Sequence, residues 1–77
     1  MSFVVVKFPE CREVFIDNRN EGDNVDAESR LRPLLVNAGW HTFRLGGPAD
    51  FTPVAQTVDV PEVPMLAPFS VVFTKRV

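Results

Sequence analysis

Trp40 and His41 stand side by side as the chain's only tryptophan and only histidine. With Cys11, Arg44 and Asp50 they head the side chains whose chemistry could be more than structural. His41 could act as a general base or a metal ligand. A base needs an oriented acid or nucleophile beside it, and a structural zinc needs four N or S donors. One histidine and one cysteine cannot supply that set, so the sequence assigns no metal and no cofactor. His41 alternates with Phe43 and Leu45, which predicts a buried or half-buried ring hydrogen-bonded to backbone on an ordinary β-strand. Cys11 has no partner for an internal disulfide. Arg12 beside it could lower its pKa, but with no second cysteine and no nearby histidine the expectation is a small buried thiol.

Other catalytic patterns fail on spacing. Ser2, Ser29 and Ser70 occupy no nucleophile elbow, and Gly46-Gly47-Pro48 has no Lys-Ser/Thr after it to cradle a phosphate. The acidic run Asp17, Glu21, Asp23, Asp26 and Glu28 brings calcium to mind, because hard cations want several oxygens. From Asp17, however, the third position of an EF-hand-like loop is Arg19, so a solvated turn is expected. No catalytic residue is assigned and the chain is read as a non-enzyme. Trp40 is different, because it shares its face with Thr42 and Arg44. Either it closes the rim of the core or it is a contact residue, where tryptophan anchors a partner or stacks on a sugar. Trp40, Arg44 and Asp50 are therefore the candidate binding residues.

The elements that must carry these residues are strands. Ser2 to Phe8 is β-branched and aromatic on both faces, and Glu13 to Asp17 is too short for a helix and too apolar for a loop. Asp17 to Asn24 concentrates turn formers and reads as a loop. Between Val25 and Leu31 one short helical turn is plausible, capped by Asn24 or Asp26. Leu31 to Val36 is extended, with Pro33 at an edge or at the strand's start. Ala38-Gly39 turns the chain into the alternating strand from Trp40 to Leu45. Val54, Gln56, Val58 and Val60 then line one face of the next strand. A proline-rich link, Pro61 to Pro68, suits a crossing between sheets and leads to a final strand, Phe69 to Lys75. The fold class is all-β: a small antiparallel sandwich or open barrel of about six strands, with at most one helical turn.

Length and composition set the remaining bounds. A 77-residue chain hides too little surface for two cores, so residues 1–77 read as one domain. It is 45% hydrophobic with seven phenylalanines, enough to pack a core rather than remain disordered. A net charge of -2, with no basic cluster longer than Lys75-Arg76, disfavours nucleic acid. MSFVVVKFPE lacks the features of a signal peptide, and no apolar stretch approaches the ~20 residues of a membrane span. A cytoplasmic protein with no membrane span is the expectation.

Three segments, in order, resemble the PEGA-domain family. Pro9-Glu10-Cys11-Arg12 leads into the apolar Glu13 to Ile16 and the turn Asp17-Asn18. Ala38-Gly39-Trp40-His41-Thr42-Phe43-Arg44-Leu45 is similar to that family's glycine turn and alternating strand. Asp50-Phe51-Thr52-Pro53 through Gln56 to Val60 is similar to the valine-rich strand that follows. Cys11-Arg12 departs from Gly-Ala, Asn18 stands where glycine is usual, and Asp23 to Arg30 looks inserted. The resemblance implies a small β-sandwich acting as a binding or surface-display module.

The functional expectation is a non-catalytic module that binds a protein partner or itself, as a homodimer through edge strands. Phe3 to Phe8 and Phe69 to Lys75, the terminal strands, are the suspected edges. The alternative is a small-ligand or carbohydrate binder using Trp40, Arg44 and Asp50. A nucleic-acid-binding barrel built on Lys7, Arg44, Lys75 and Arg76 ranks below both.

Overall fold

The computed structural model describes residues 1–76 and contains strands and turns with no helix. The strands are β1 (Ser2–Lys7), β2 (Glu13–Ile16), β3 (Arg19–Asp23), β4 (Leu34–Val36), β5 (Gly39–Leu45), β6 (Phe51–Thr52), β7 (Gln56–Val60), β8 (Phe69–Val72) and β9 (Thr74–Lys75). They form a three-stranded sheet, β4-β1-β8, a four-stranded sheet, β3-β2-β5-β7, and a two-stranded ribbon, β6-β9. The core draws on both larger sheets: Val4, Val6, Leu34, Val36 and Val71 from the first, and Val14, Ile16, Phe43, Leu45 and Val60 from the second. That shared core is the sandwich expected from the alternation. Among the described residues no helix is long and apolar enough to cross a membrane.

The alternation along β5 places its residues as read. Phe43 and Leu45 are buried, His41 is half-buried, and Trp40 and Thr42 face solvent. In β1, Val4 and Val6 join the core, as does Phe8 just after it, while Val5 on the opposite face is also buried. Gly39 opens β5 at φ +122°, a backbone conformation that side chains rarely adopt, and this lets the chain pass from β4 in one sheet into β5 in the other. The Pro61–Pro68 link performs the last crossing between the two larger sheets, from β7 to β8.

Four expectations are corrected. Asp17 to Asn24 is not simply a loop: Asp17 and Asn18 adopt φ values of 52° and 66°, the positive pair that a two-residue hairpin turn requires, and β3 runs back along β2. Val25 to Leu31 forms no helical turn. Asp26 Oδ1 instead accepts from the amides of Glu28 and Arg30, and a Val25–Leu31 bridge closes the segment, because an aspartate competes for nearby amides better in a turn than within a helix. The sandwich is not wholly antiparallel, since β1 and β8 pair in parallel. Nor is β1 an edge. It lies between β4, which pairs with Ser2 to Val4, and β8, which pairs with Val4 to Lys7.

Candidate functional site

The three candidate binding residues do not converge. Trp40 sits near the start of β5, 70% exposed, opposite Asp59 of β7. Arg44 lies four residues further along, about 13 Å at the rise of a strand. Its guanidinium lies 4.0 Å from the centroid of the Phe15 ring, which holds the cation flat on the sheet. Asp50 follows the far end of β5 and belongs to a different cluster.

That cluster gave no sequence signal, because its members come from three separated segments. Arg12, whose side chain is 10% exposed, donates through both terminal nitrogens to the two oxygens of Asp50 at 2.8 Å each. It also donates to Glu10 at 2.5 Å and stands 5.1 Å over the Phe8 ring. Lys75 bonds Glu10 at 2.8 Å and also contacts Asp50. The fork-on-carboxylate geometry is directional as well as charged. It fastens the β1–β2 turn to the loop before β6 and to β9. Arg12 and Lys75 hold the Asp50 carboxyl far below its ordinary value, and Lys75 followed by Arg12 lowers Glu10. Two cations against two carboxylates leave neither sign spare for a ligand, so Asp50 acts as structure.

The sign of the resulting pH dependence follows from the depressed carboxyls. Groups bound more weakly to protons in the folded state contribute stability above their unfolded pKa values, near 3.8 for Asp50 and 4.5 for Glu10, and lose it as pH falls through the folded values. Thermal melts should therefore decline below about pH 4.5. Asp50→Asn should flatten part of that decline and lower the melting temperature at pH 7. An unchanged acid limb in Asp50→Asn would refute the assignment.

His41 is positioned as a strand residue that ties two turns together. Nδ1 lies 2.6 Å from Asp17 Oδ2 and Nε2 lies 2.6 Å from the Asn37 carbonyl. The Thr42 amide donates to the other Asp17 oxygen at 2.9 Å. The bond to backbone expected from the sequence is present. The aspartate partner is an addition to that expectation, and it comes from the β2–β3 hairpin turn.

Cys11 is exposed rather than buried. It sits in the turn after Pro9, where the side chain has no sheet face to occupy. Desolvation, followed by the Asp23 carboxylate, raises its thiol pKa, opposite to the lowering that Arg12 was expected to provide, because Arg12 spends its charge on Asp50 and Glu10. Among the described residues no three His, Cys, Asp or Glu side chains are disposed to hold a metal ion. The acidic side chains of the β2–β3 region serve turns instead: Asp17 caps Thr42, and Asp26 caps Glu28 and Arg30.

The edges of the two larger sheets differ in how they are protected. Along β3, Arg32 donates to the Asp23 carbonyl at 2.7 Å and its guanidinium lies where a side chain at Gly22 would go. On β8, the Val72 carbonyl accepts Gln56 Nε2 at 2.8 Å. β4 is three residues long and follows Pro33. Short length, proline and covering side chains are the usual devices against strand addition. β7 is longer than β4, at five residues; Pro61 bounds its end, but among the described residues no side chain bonds to its main chain. Among the described residues its main chain makes no hydrogen bond outside the β5 ladder. Its one charge, Asp59, adjoins Trp40. Set beside known proteins, the chain matches no family model, no curated protein and no solved structure.

Proposed function

We propose that the chain is a non-catalytic protein-binding module that accepts an extended segment along the open side of β7. The observation that carries this is the asymmetry of the edges: three are short or covered, and β7 is open beside a tryptophan exposed on the same outer face. Main-chain bonds from β7 would supply affinity, and side chains on the outer face would supply selection. The groups waiting there are Thr57, Asp59 and, one strand further in, Trp40. An incoming arginine or lysine opposite Asp59 gains an ion pair and can extend over the indole face. The resemblance to PEGA domains supports a binding role of this kind, as does the all-β sandwich. The same edge also suits a second copy of the chain, β7 against β7, in place of the terminal-strand dimer.

The test is a library of extended hexapeptides with alternating valines and a central arginine, titrated against the isotope-labelled protein. Amide shifts should concentrate on Gln56–Val60 and Trp40. Trp40→Ala and Asp59→Lys should each weaken binding by about tenfold or more, on the scale of interface anchors, while exposed positions of this kind leave stability within about 0.5 kcal/mol. Shifts on β4 or β8, or affinity indifferent to both substitutions, would overturn the reading. Light scattering at high concentration tests the self-pairing arm: a two-chain mass indicates β7 against β7, and a one-chain mass excludes it, so that peptide binding alone then decides for a foreign segment.

A further inference from the structure

The geometry points to His41 as a built-in pH-sensitive clamp: a charged imidazolium that ties the β2–β3 turn to the β4–β5 crossing and releases one of them when it loses a proton. Both ring nitrogens face acceptors. Asp17 Oδ2 and the Asn37 carbonyl each lie at 2.6 Å, and a backbone carbonyl cannot donate. A neutral ring carries one N–H and so satisfies only one of the two; the other nitrogen would then set a lone pair against an oxygen. The imidazolium alone donates to both. Asp17 is kept ionised by the Thr42 amide first and by His41 second, so the carboxyl is not the proton source.

The surroundings are compatible with that charge. His41 lies beside an open cavity of about 260 Å³ that Asp17, Arg19, Glu21 and Met1 also line. The Met1 ammonium bonds Glu62 at 3.1 Å. Across the ladder from β7 comes uncharged Val58. Asp17 first, and then the Asn37 carbonyl among the favourable contacts, raise the His41 pKa against its desolvation. A raised folded value means the clamp's contribution is complete below the unfolded value of 6.5 and disappears as pH rises through the folded value. Asp17, being depressed, sets the lower limit. It contributes above 3.8 and is lost as pH falls through its folded value. The clamp therefore holds in mildly acidic solution and loosens in alkaline solution.

The consequence reaches the proposed binding edge, though the clamp does not depend on that reading. Asn37 lies two residues before Gly39, and Trp40 is the next strand position after it. Releasing Asn37 frees the entry to β5 on which the indole is mounted.

The decisive experiment is a nitrogen-15 NMR titration of the full chain from pH 5 to 9, combined with urea melts of the wild type, His41→Gln and Asp17→Asn. At pH 6 both ring nitrogens should show imidazolium shifts, with a midpoint above 6.5 that falls in Asp17→Asn. Between pH 6 and 9 the wild-type unfolding constant should rise by about tenfold for each unit by which that midpoint exceeds the unfolded value. His41→Gln should show no such rise. A neutral ring at pH 6, or equal pH dependence in the wild type and His41→Gln, would overturn the clamp. Should His41→Gln fail to fold, the wild-type titration and Asp17→Asn still decide it.

Discussion

Phe43→Ala should lower stability by about 3–5 kcal/mol, the cost of emptying a fully buried aromatic position. Phe43 is 0% exposed, sits on β5 inside the four-stranded sheet, and lies across from Ile16 on one side and Gln56 on the other. Its neighbours belong to closed ladders, so they cannot collapse readily into the space. A domain of this length has roughly 4–12 kcal/mol in total at typical per-residue stability. The loss thus ranges from about a quarter of the total to all of it. Phe43→Leu keeps most of the volume and should cost less than about 2 kcal/mol. Urea melts of the two variants and of Trp40→Ala check this ranking. A Phe43→Ala protein within 1 kcal/mol of wild type would mean that β5 is not the strand that closes the core.

The contrast between Phe43 and Trp40 also shows what was legible. β5 has one dry and one wet face, and the polar–apolar alternation that such a strand needs is written along Trp40 to Leu45. β3 has the opposite character. Arg19-Asn20-Glu21-Gly22-Asp23 lies at an edge with no buried side chain, so its sequence follows no burial pattern and resembles a loop. Only the Asp17-Asn18 turn marked it, and that signal weighs less than the polarity on either side. Long-range pairing was illegible for another reason. Arg12 and Asp50 are 38 positions apart, and each alone looks like a solvated charge beside a turn. Of the two terminal strands expected at edges, β8 does lie at one, whereas the parallel β1–β8 pairing places the first strand in the middle. Cys11 was misplaced by residue type, since cysteine is commonly buried but a turn after proline offers it no interior.

Asn24 was hidden by the same polarity, and it yields the second large prediction. It is 0% exposed inside what looks like a polar connection. Its side-chain oxygen accepts from the Arg12 amide at 2.8 Å, and its side-chain nitrogen donates to the Glu10 carbonyl at 3.1 Å. Its own amide donates to the Arg12 carbonyl and its own carbonyl accepts from the Arg32 amide, both at 3.0 Å. One residue therefore satisfies the main chain of the β1–β2 turn and anchors the segment that leaves β3. Asn24→Ala deletes two bonds and leaves one amide and one carbonyl without partners, each costing about 1–3 kcal/mol when shielded from water. The expected loss is about 3 kcal/mol, which for a domain of this size lowers the melting temperature by roughly 12–24 °C. Asn24→Asp separates the two halves of the argument. It preserves the acceptor for Arg12 but removes the donor to Glu10 and buries a charge, so it should also be destabilised, and increasingly so as pH rises above the carboxyl's pKa. If Asn24→Asp matched wild type at neutral pH, the Glu10 bond would be dispensable. The turn carrying Arg12 would then be held by the two bonds between residue 24 and the Arg12 main chain and by the Asp50 fork, and Asp50→Asn would become the larger of the two losses.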